Sequence, residues 1–273
     1  MKRRSLGELT AIIIAVLFVL LMLVVPLISV LSNALSKGLD FFVKAISTSH
    51  VIYALGLTIG TMIVTVLITG VFGVAAAYCI GKFQFKGKSI LTTLIDIPFT
   101  VSPVIAGLAL IMTFGRMGWF HPYIEAINNY FNLDIRIVFA VPAVILATVF
   151  VTFPFIYREI IPVLFSQGKD EEEAAAMMGA SGWTIFRRIT FPAIKWPFLY
   201  GIILCSARAL GEFGAVAAVS KARGQTFTLP LEIDALYMSG SESGVVSAFA
   251  VSSLLVGMAL IMLVIRSIVE KKG

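Results

Sequence analysis

Long apolar stretches separated by short polar connections make up most of the chain. A hydrocarbon core of roughly 30 Å is crossed by a helix of about 20 apolar residues. Six stretches reach that length: Leu9–Leu31, Val51–Ile80, Ile90–Gly115, Ile137–Tyr157, Trp196–Ser220 and Gly244–Ile265. The pattern therefore predicts an all-α integral membrane protein with six transmembrane helices.

The composition excludes a soluble alternative. Of the 273 residues, 59% are hydrophobic and 13% are charged, whereas about a quarter of the residues in a soluble domain are charged. A soluble protein of this size could not remove so much apolar surface from water, so a soluble enzyme is excluded. The two cysteines, Cys79 and Cys205, lie inside apolar stretches, which predicts small buried thiols and no disulfide framework.

The basic residues fall mainly on one side of the predicted membrane. Fourteen of the 21 lie in the two termini and in the second and fourth connections: Lys2, Arg3, Arg4, Lys82, Lys86, Lys88, Arg158, Lys169, Arg187, Arg188, Lys195, Arg266, Lys271 and Lys272. Six lie on the other side: Lys37, Lys44, Arg116, Arg136, Lys221 and Arg223. Because cytoplasmic loops carry this excess, both termini are predicted to be cytoplasmic. The net charge of +6 thus reports topology, and no nucleic-acid partner is predicted.

The first apolar stretch has two interpretations. Basic residues, an apolar run and Ser32-Asn33-Ala34 also resemble a cleavable signal peptide. The run Leu9–Leu31 has 23 residues, longer than the 7–15 of a signal core, which favours a retained helix. The predicted organisation is a first transmembrane helix with an outer loop over residues 1–50, and a main transmembrane domain over residues 51–268. That domain includes a cytoplasmic loop at residues 158–195.

The cytoplasmic loop 158–195 contains a predicted short helix. Asp170-Glu171-Glu172-Glu173 precedes the strong helix formers Ala174 to Met178, and Gly179 follows. Acidic residues favour the positive end of the helix dipole, and glycine is a common stop. Small residues and methionines on this helix suit docking to another protein. The alternative is a solvated acidic loop that only joins two membrane helices.

Two charged residues lie inside the fifth apolar stretch. Arg208 and Glu212 are four residues apart, which places them on one face of a helix. Each would cost about 2.5–3.5 kcal/mol at the bilayer centre if unpaired. The pair is therefore predicted either to be a structural ion pair at a helix interface or to line an anion pathway.

The loop resembles the EAA signature of importer-type ABC permeases. Glu173-Ala174-Ala175, Gly179, Ile189 and Pro192 match its fixed positions, and Phe191 stands where the family has leucine. The resemblance implies the MetI-like permease fold, in which this loop forms a coupling helix that docks on a separate ATP-binding subunit. The implied coupling residues are Glu173, Ala174, Ala175, Met178, Gly179, Ile189 and Pro192.

No ATP site is predicted in the chain itself. Gly87-Lys88-Ser89 resembles the end of a P-loop, but Lys82 occupies the position that needs the first glycine. The ATPase is therefore expected on a partner chain. His50 and His121 are far apart in sequence and have no companions at metal-ligand spacing, so they are predicted to be solvated surface residues. No catalytic residue, cofactor or metal site is predicted.

The fifth stretch and the residues after it resemble one subgroup. Ala207–Val216 is similar to the fifth-helix motif of sulfate and molybdate permeases, and Arg223–Thr226, Thr228–Leu231 and Leu236-Tyr237 resemble W-type sulfate permeases. The implied translocation pathway or gate residues are Arg208, Glu212, Phe213 and Gly214.

The resemblance implies import of sulfate or thiosulfate across the cell membrane. The implied partners are ABC ATPase subunits, a second permease of the T type, an extracytoplasmic sulfate-binding protein and membrane lipid. A molybdate or tungstate permease acting with a second copy of itself is the alternative within the family. A secondary transporter that needs no ATPase is the alternative outside it.

Overall fold

The computed structural model describes residues 6–271, and for Leu6 only the backbone. Lys2, Arg3, Arg4 and Lys272 lie outside the described residues. The described range contains α-helices joined by turns and two π-helical turns, with no strand. The helices are α1 Leu6–Val19, α2 Val25–Ala34, α3 Leu39–Ile46, α4 Ser49–Lys82, α5 Lys88–Thr100, α6 Pro103–Phe114, α7 His121–Phe131, α8 Val141–Gln167, α9 Asp170–Met177, α10 Gly182–Ile185, α11 Phe191–Leu210, α12 Gly214–Val219, α13 Leu229–Tyr237 and α14 Glu242–Glu270.

Five continuous helical segments within residues 6–271 are long and apolar enough to cross a membrane: Gly7–Ala34, Ser49–Lys82, Val141–Gln167, Gly182–Leu210 and Glu242–Glu270. A sixth crossing results if the bent pair α5 and α6 counts as one span. The all-α membrane fold with six apolar helical spans is thereby confirmed. We call the end of the spans that carries α9 the inner end, and the opposite end the outer end.

The third span is broken, whereas the sequence predicted one helix over Ile90–Gly115. The axes of α5 and α6 meet at 113°. Pro103 is the first residue of α6, and the residue before a proline is pushed out of the helical region by the proline ring. Ser102 accordingly has a ψ of 134°. The apolar pattern continues through this break because it records hydrophobicity and not backbone direction.

The fourth span is longer at its inner end than predicted. Instead of ending at Tyr157, α8 continues to Gln167, so the first ten residues of the predicted loop 158–195 are helical. A charge such as Arg158 ends an apolar stretch but does not end a helix. Gly168, with a φ of +70°, ends it instead.

The fifth span is also interrupted, which corrects the predicted single helix Trp196–Ser220. After α11 ends at Leu210, residues 211–213 are non-helical and the six-residue α12 begins at Gly214. Arg208 is therefore in the last turn of α11, and Glu212 is in the break. The expected shared helix face does not exist, although the two side chains do meet.

The centre of the fold lies where α8 packs between α4 and α11. Its buried apolar core includes Ile80, Ile156, Ile160, Leu164 and Ile194. Four of the threonines buried in α4 and α8 keep a hydrogen bond to the backbone. Thr58, Thr69, Thr148 and Thr152 each donate the hydroxyl hydrogen to the carbonyl four residues earlier, at 2.7–2.8 Å. This bonding is what an apolar surrounding requires of a hydroxyl.

The first span contacts the rest of the chain through α2, which packs against α14. Its most apolar window contains no buried residue. It is attached at its outer end, where Ala34 packs with Ala45 and Ala250. The cysteines differ from each other: Cys205 is buried, but Cys79 is exposed because Ala77 and Ile80 occupy the buried face of α4. The prediction of two buried thiols is wrong for Cys79.

Candidate functional site

Helix α9 forms where the acidic run predicted it. All four residues of its first turn, Asp170 to Glu173, are acidic, which stabilises the positive end of the helix dipole. Gly179, with a φ of +86°, closes the helix. The N–H of Gly179 donates to the carbonyl of Ala176 at 2.9 Å, and that of Ala180 donates to Ala175 at 3.0 Å. This pair of bonds is a Schellman motif, and the left-handed residue inside it favours glycine.

The EAA residues divide between the two faces of α9 and the helix that follows. Ala175 is buried, whereas Glu173, Ala174, Met178 and Gly179 are exposed. The structure places Ile189 half-buried in the π-helical turn Phe186–Thr190 and Pro192 exposed at the start of α11.

Large apolar side chains are concentrated at the far end of α9. Met177 is 91% exposed, Met178 83% and Trp183 71%. We call these three residues the exposed tip. The rings of Trp183 and Phe186 stack with centroids 5.7 Å apart, which holds the indole in place. Exposed apolar patches are typical of surfaces that contact another protein or a membrane.

A buried lysine that sequence reasoning did not single out holds the base of α9. Lys82 ends α4, and its side chain is 4% exposed. Its Nζ lies 3.0 Å from Oε1 of Glu172 and donates to the carbonyl of Gly168 at 2.7 Å. The Thr190 hydroxyl donates to the same Glu172 oxygen at 2.6 Å. We call Lys82, Gly168, Glu172 and Thr190 the Lys82 joint.

The Lys82 joint connects three parts of the chain at one point. Lys82 belongs to α4, Glu172 to α9, and Thr190 immediately precedes α11. Removing one partner of a buried ion pair leaves an uncompensated charge, at a cost of about 3–5 kcal/mol. The Lys82 joint therefore links α9 to α4 and to the start of α11, in addition to the chain connection between α8 and α9. The sequence offered only a basic residue at a helix end and one glutamate among four acidic residues.

Arg208 and Glu212 form the ion pair that the sequence allowed. Nη1 of Arg208 lies 2.6 Å from Oε2 of Glu212, with the carboxylate buried and the arginine half-buried. The other carboxylate oxygen accepts the N–H of Ala215 at 2.9 Å, so Glu212 also fixes the start of α12. This geometry is that of the structural ion pair, one of the two predictions for Arg208 and Glu212. It also leaves part of the guanidinium accessible.

The other two predicted pathway residues lie next to this pair. Phe213 is exposed. Gly214 packs against Pro103, the first residue of α6, so closely that a Cβ would lie 3.1 Å from the proline Cβ. Gly107 is in tighter contact still, since a Cβ there would lie 2.5 Å from the carbonyl oxygen of Ala215. The breaks in the third and fifth spans are therefore packed against each other.

A second buried carboxylate lies in the segment that resembles sulfate permeases. Glu232 on α13 is fully buried and accepts hydrogen bonds from Nε of Arg223 at 2.9 and 3.0 Å. These bonds to Glu232 raise the pKa of Arg223 above its ordinary value. The hydroxyl of Tyr53 donates to the carbonyl of Gln225 at 2.7 Å and ties the same segment to α4. Sequence reasoning noted the string around Arg223 but not this pair.

The described residues contain no group of three or more His, Cys, Asp or Glu side chains placed to hold a metal ion. His50 is exposed. His121 has its Nε2 3.9 Å from a carboxylate oxygen of Glu125, one turn further along α7. The position of His50 agrees with the prediction of a surface residue, whereas His121 is half-buried.

Comparison with known proteins identifies the family to which this chain belongs. The family model for "Binding-protein-dependent transport system inner membrane component" matches residues 70–272. The chain is 42% identical over 272 residues to the sulfate transport system permease protein CysW of Synechococcus elongatus, covering 99% of this chain and 92% of that protein. It is 41% identical over 249 residues to CysW of Escherichia coli K12, covering 91% and 82%.

The fold is also found in solved structures. A chain of a bacterial alginate ABC transporter, in complex with an alginate pentasaccharide-bound periplasmic protein, aligns with a TM-score of 0.78 at 18% identity. The alignment covers 94% of this chain and 91% of that one. The MetI-like permease fold implied by the EAA residues is thereby confirmed. The chain belongs to the binding-protein-dependent transport system inner membrane components, the importer-type ABC permeases, and within them it groups with the CysW permeases.

Proposed function

We propose that this chain is a permease subunit of an ATP-driven importer that moves sulfate or thiosulfate across the cell membrane. The observation that carries the proposal is α9: a capped helix with an exposed apolar tip and a base fixed in the fold by the Lys82 joint. The identities of about 40% to sulfate permeases favour sulfate over molybdate or tungstate as the transported oxyanion.

In this proposal α9 is the coupling helix. The exposed tip and the signature residue Glu173 dock on an ATPase subunit, and ATP hydrolysis takes place on that partner. Closure of the ATPases displaces α9. Because the Lys82 joint ties α9 to α4 and α11, these helices move with it. A permease of this kind needs two discrete packings whose balance the ATPase shifts.

The broken spans are the proposed moving part. Arg208 is at the end of α11, next to the break that packs on α6. A displacement of α11 therefore reaches the contact between Gly107 and α12 directly. We assign Arg208, Glu212, Phe213 and Gly214 to the pathway or gate. Arg208 is the group that meets the anion, with Glu212 holding it in place.

The remaining partners follow from what the transport of sulfate across a membrane requires. Sulfate is a dianion that cannot cross hydrocarbon unaided, and its uphill uptake needs an external energy source. A second permease, of the T type in the sulfate assignment, completes the membrane-spanning unit. An extracytoplasmic sulfate-binding protein delivers the anion to the outer end. The molybdate alternative replaces the second permease with a second copy of this chain.

The test uses cells in which the chromosomal copy of this chain is deleted. Radiolabelled sulfate uptake should be lost in these cells and restored by the wild-type chain but not by Glu173→Lys, although the variant still inserts in the membrane. The wild-type chain, purified through an affinity tag, should bring with it an ATPase and a second, different permease. Uptake that survives deletion of the ATPase would support a secondary transporter instead. A complex with a single permease species whose uptake is blocked by molybdate would support the molybdate alternative.

A further inference from the structure

Helix α7 directs its apolar face away from the protein, whereas a surface helix of a soluble domain directs that face toward the core. It connects the outer ends of α6 and α8. Tyr123, Ile127 and Tyr130 recur every three or four residues along one face, and this face points away from the protein. Tyr123 is 68% exposed and Tyr130 82%. A surface helix normally buries its apolar face against its own core.

The polar face of α7 lies on the opposite side of the helix. His121, Glu125, Asn128 and Asn129 line an open cavity of about 810 Å³, together with the end of α6 and residues 133–139. Arg116 and Arg136 also line the cavity. The polar side chains of α7 therefore face this pocket. The rings of Tyr123 and Tyr130 contact Phe120 and Phe131, which are neighbours along the chain and are themselves exposed.

This orientation is fixed by specific contacts. The side chain of Asn128 accepts the N–H of Ile135 at 2.9 Å and donates to the carbonyl of the same residue at 3.2 Å. Before the helix, Phe120 stacks on Phe114 at the end of α6 with ring centroids 5.3 Å apart. Rotating α7 to bury its aromatic face would break the Asn128 bonds. These contacts therefore keep the aromatic face of α7 directed outward.

We propose that this face of α7 lies in the outer leaflet of the membrane, at the boundary between phospholipid headgroups and acyl chains. Helix α7 begins seven residues after α6 ends, which places it near the level where two spans leave the bilayer. Tyrosine and tryptophan are enriched at this boundary, because each has an apolar ring and a polar group. Trp119, immediately before the helix, is exposed as well.

Two further observations favour lipid over a protein partner. The outward face of α7 carries no ionised side chain, whereas protein docking surfaces are ringed by polar and charged groups. The helix that precedes α7, α6, also exposes large apolar side chains, with Met112 75% and Leu108 50% exposed. The helix in this position separates the aqueous cavity at the outer end from the surrounding lipid. The proposal depends on the membrane fold and not on the transported anion.

The test is fluorescence quenching of Trp119 in the complete complex, reconstituted in phospholipid nanodiscs. The chain has three tryptophans, so Trp183→Phe with Trp196→Phe leaves Trp119 as the only reporter within it. The partner chains carry phenylalanine in place of their tryptophans, or their emission is subtracted with a complex that lacks Trp119. Phospholipids brominated high on the acyl chain should quench Trp119 at least twofold more than phospholipids brominated near the chain end. Iodide in the buffer should quench it weakly.

Two control reporters make the result specific. Trp183 in a Trp119→Phe, Trp196→Phe background lies on the exposed tip at the inner end and should be insensitive to both brominated lipids. Tyr130→Trp, with the three native tryptophans replaced by phenylalanine, reports from α7 itself and should repeat the Trp119 result. Strong iodide quenching without quenching by brominated lipid would show a solvated helix and overturn the proposal. So would emission that is insensitive to both quenchers, or that changes only when the extracytoplasmic binding protein is added, since each shows a protein surface.

Discussion

Two short helices, α7 and α9, flank α8 at its outer and inner ends, and they expose apolar side chains for different reasons. The base of α9 is held by a buried ion pair between Lys82 and Glu172, and its exposed residues are three side chains at a tip. Helix α7 is held by an asparagine, and its exposed residues form an aromatic band along one face. A tip in a charged loop is suited to a protein groove, whereas an uncharged aromatic band is suited to a lipid boundary.

The comparison also separates two mechanical roles. In the proposed mechanism, a displacement of α9 reaches α4 and α11 through the Lys82 joint, because breaking that joint would leave a buried charge without a partner. Helix α7 has no comparable charged link to the spans. The inner helix is therefore suited to transmit a movement, and the outer helix is suited to hold a position at the membrane surface.

The largest expected effect is that of Lys82→Met. The substitution leaves Glu172 buried without a cation, which destabilises the fold by about 3–5 kcal/mol. Thermal unfolding of the purified complex should show a lower midpoint, and sulfate uptake should be lost. Lys82→Met combined with Glu172→Gln should recover much of the stability, because it removes both charges. The control Lys86→Met changes an exposed lysine in the same connection. Equal midpoints for Lys82→Met and Lys86→Met would contradict the assignment of the joint.

The next effect is that of Trp183→Ala at the exposed tip. An aromatic anchor in a protein interface contributes about 2–4 kcal/mol, so affinity for the ATPase should fall at least about thirtyfold. Titration of the permease complex in nanodiscs with the purified ATPase measures this. Tyr130→Ala on α7 removes an aromatic ring of similar exposure and should leave the affinity unchanged. A loss of affinity for the ATPase in both variants would contradict the assignment of ATPase binding to the exposed tip and not to α7.

A smaller effect is expected for Gly179→Ala. The left-handed backbone at φ +86° disfavours a side chain by about 1–2 kcal/mol, which loosens the end of α9 beside the tip. Sulfate uptake should fall, and less ATPase should copurify. Gly87→Ala introduces the same backbone strain, at φ +94°, in the connection before α5. It should reduce stability to a similar degree and leave the ratio of ATPase to permease unchanged. A reduced ratio in Gly87→Ala alone would count against α9 as the coupling element.

The smallest effect is that of Tyr130→Ala on stability in detergent. Tyr130 is 82% exposed and its ring contacts only a neighbour along the helix that is exposed as well, Phe131. A substitution at such a surface position changes stability by less than about 0.5 kcal/mol. The midpoint of unfolding in detergent should therefore stay at the wild-type value. A large drop in detergent would show that the aromatic face packs against protein.

The sequence predicted those features that depend on local pattern. Apolar runs located the spans, and the acidic start, the alanines and Gly179 defined α9 to within a residue or two. The breaks could not be located in the same way. Ser102 and Pro103 lie within a continuous apolar run, and Gly211 lies between Arg208 and Glu212, whose spacing of four predicted one continuous helix. Hydrophobicity determines which residues enter the membrane but not the direction of the backbone there.

Contacts between residues far apart in the chain could not be predicted from the sequence either. Lys82 and Glu172 are separated in the chain by two whole spans, so neither position identifies the other. Arg223 and Glu232 lie closer together, but the turn between α12 and α13 brings them into contact, and no helical spacing predicts it. The outward orientation of Tyr130 depends likewise on the tertiary contact of Asn128 with Ile135.

The central claim, that α9 couples this chain to a separate ATPase, is tested most directly by crosslinking. Met178→Cys in a Cys79→Ser background carries a photoreactive maleimide, and Cys205 can remain because it is buried. Illumination of the native complex should join this chain to the ATPase and abolish sulfate uptake, whereas the same reagent at Tyr130→Cys should give no such product. An ATPase adduct from position 130 but not from position 178, or full uptake after crosslinking at position 178, would contradict the claim.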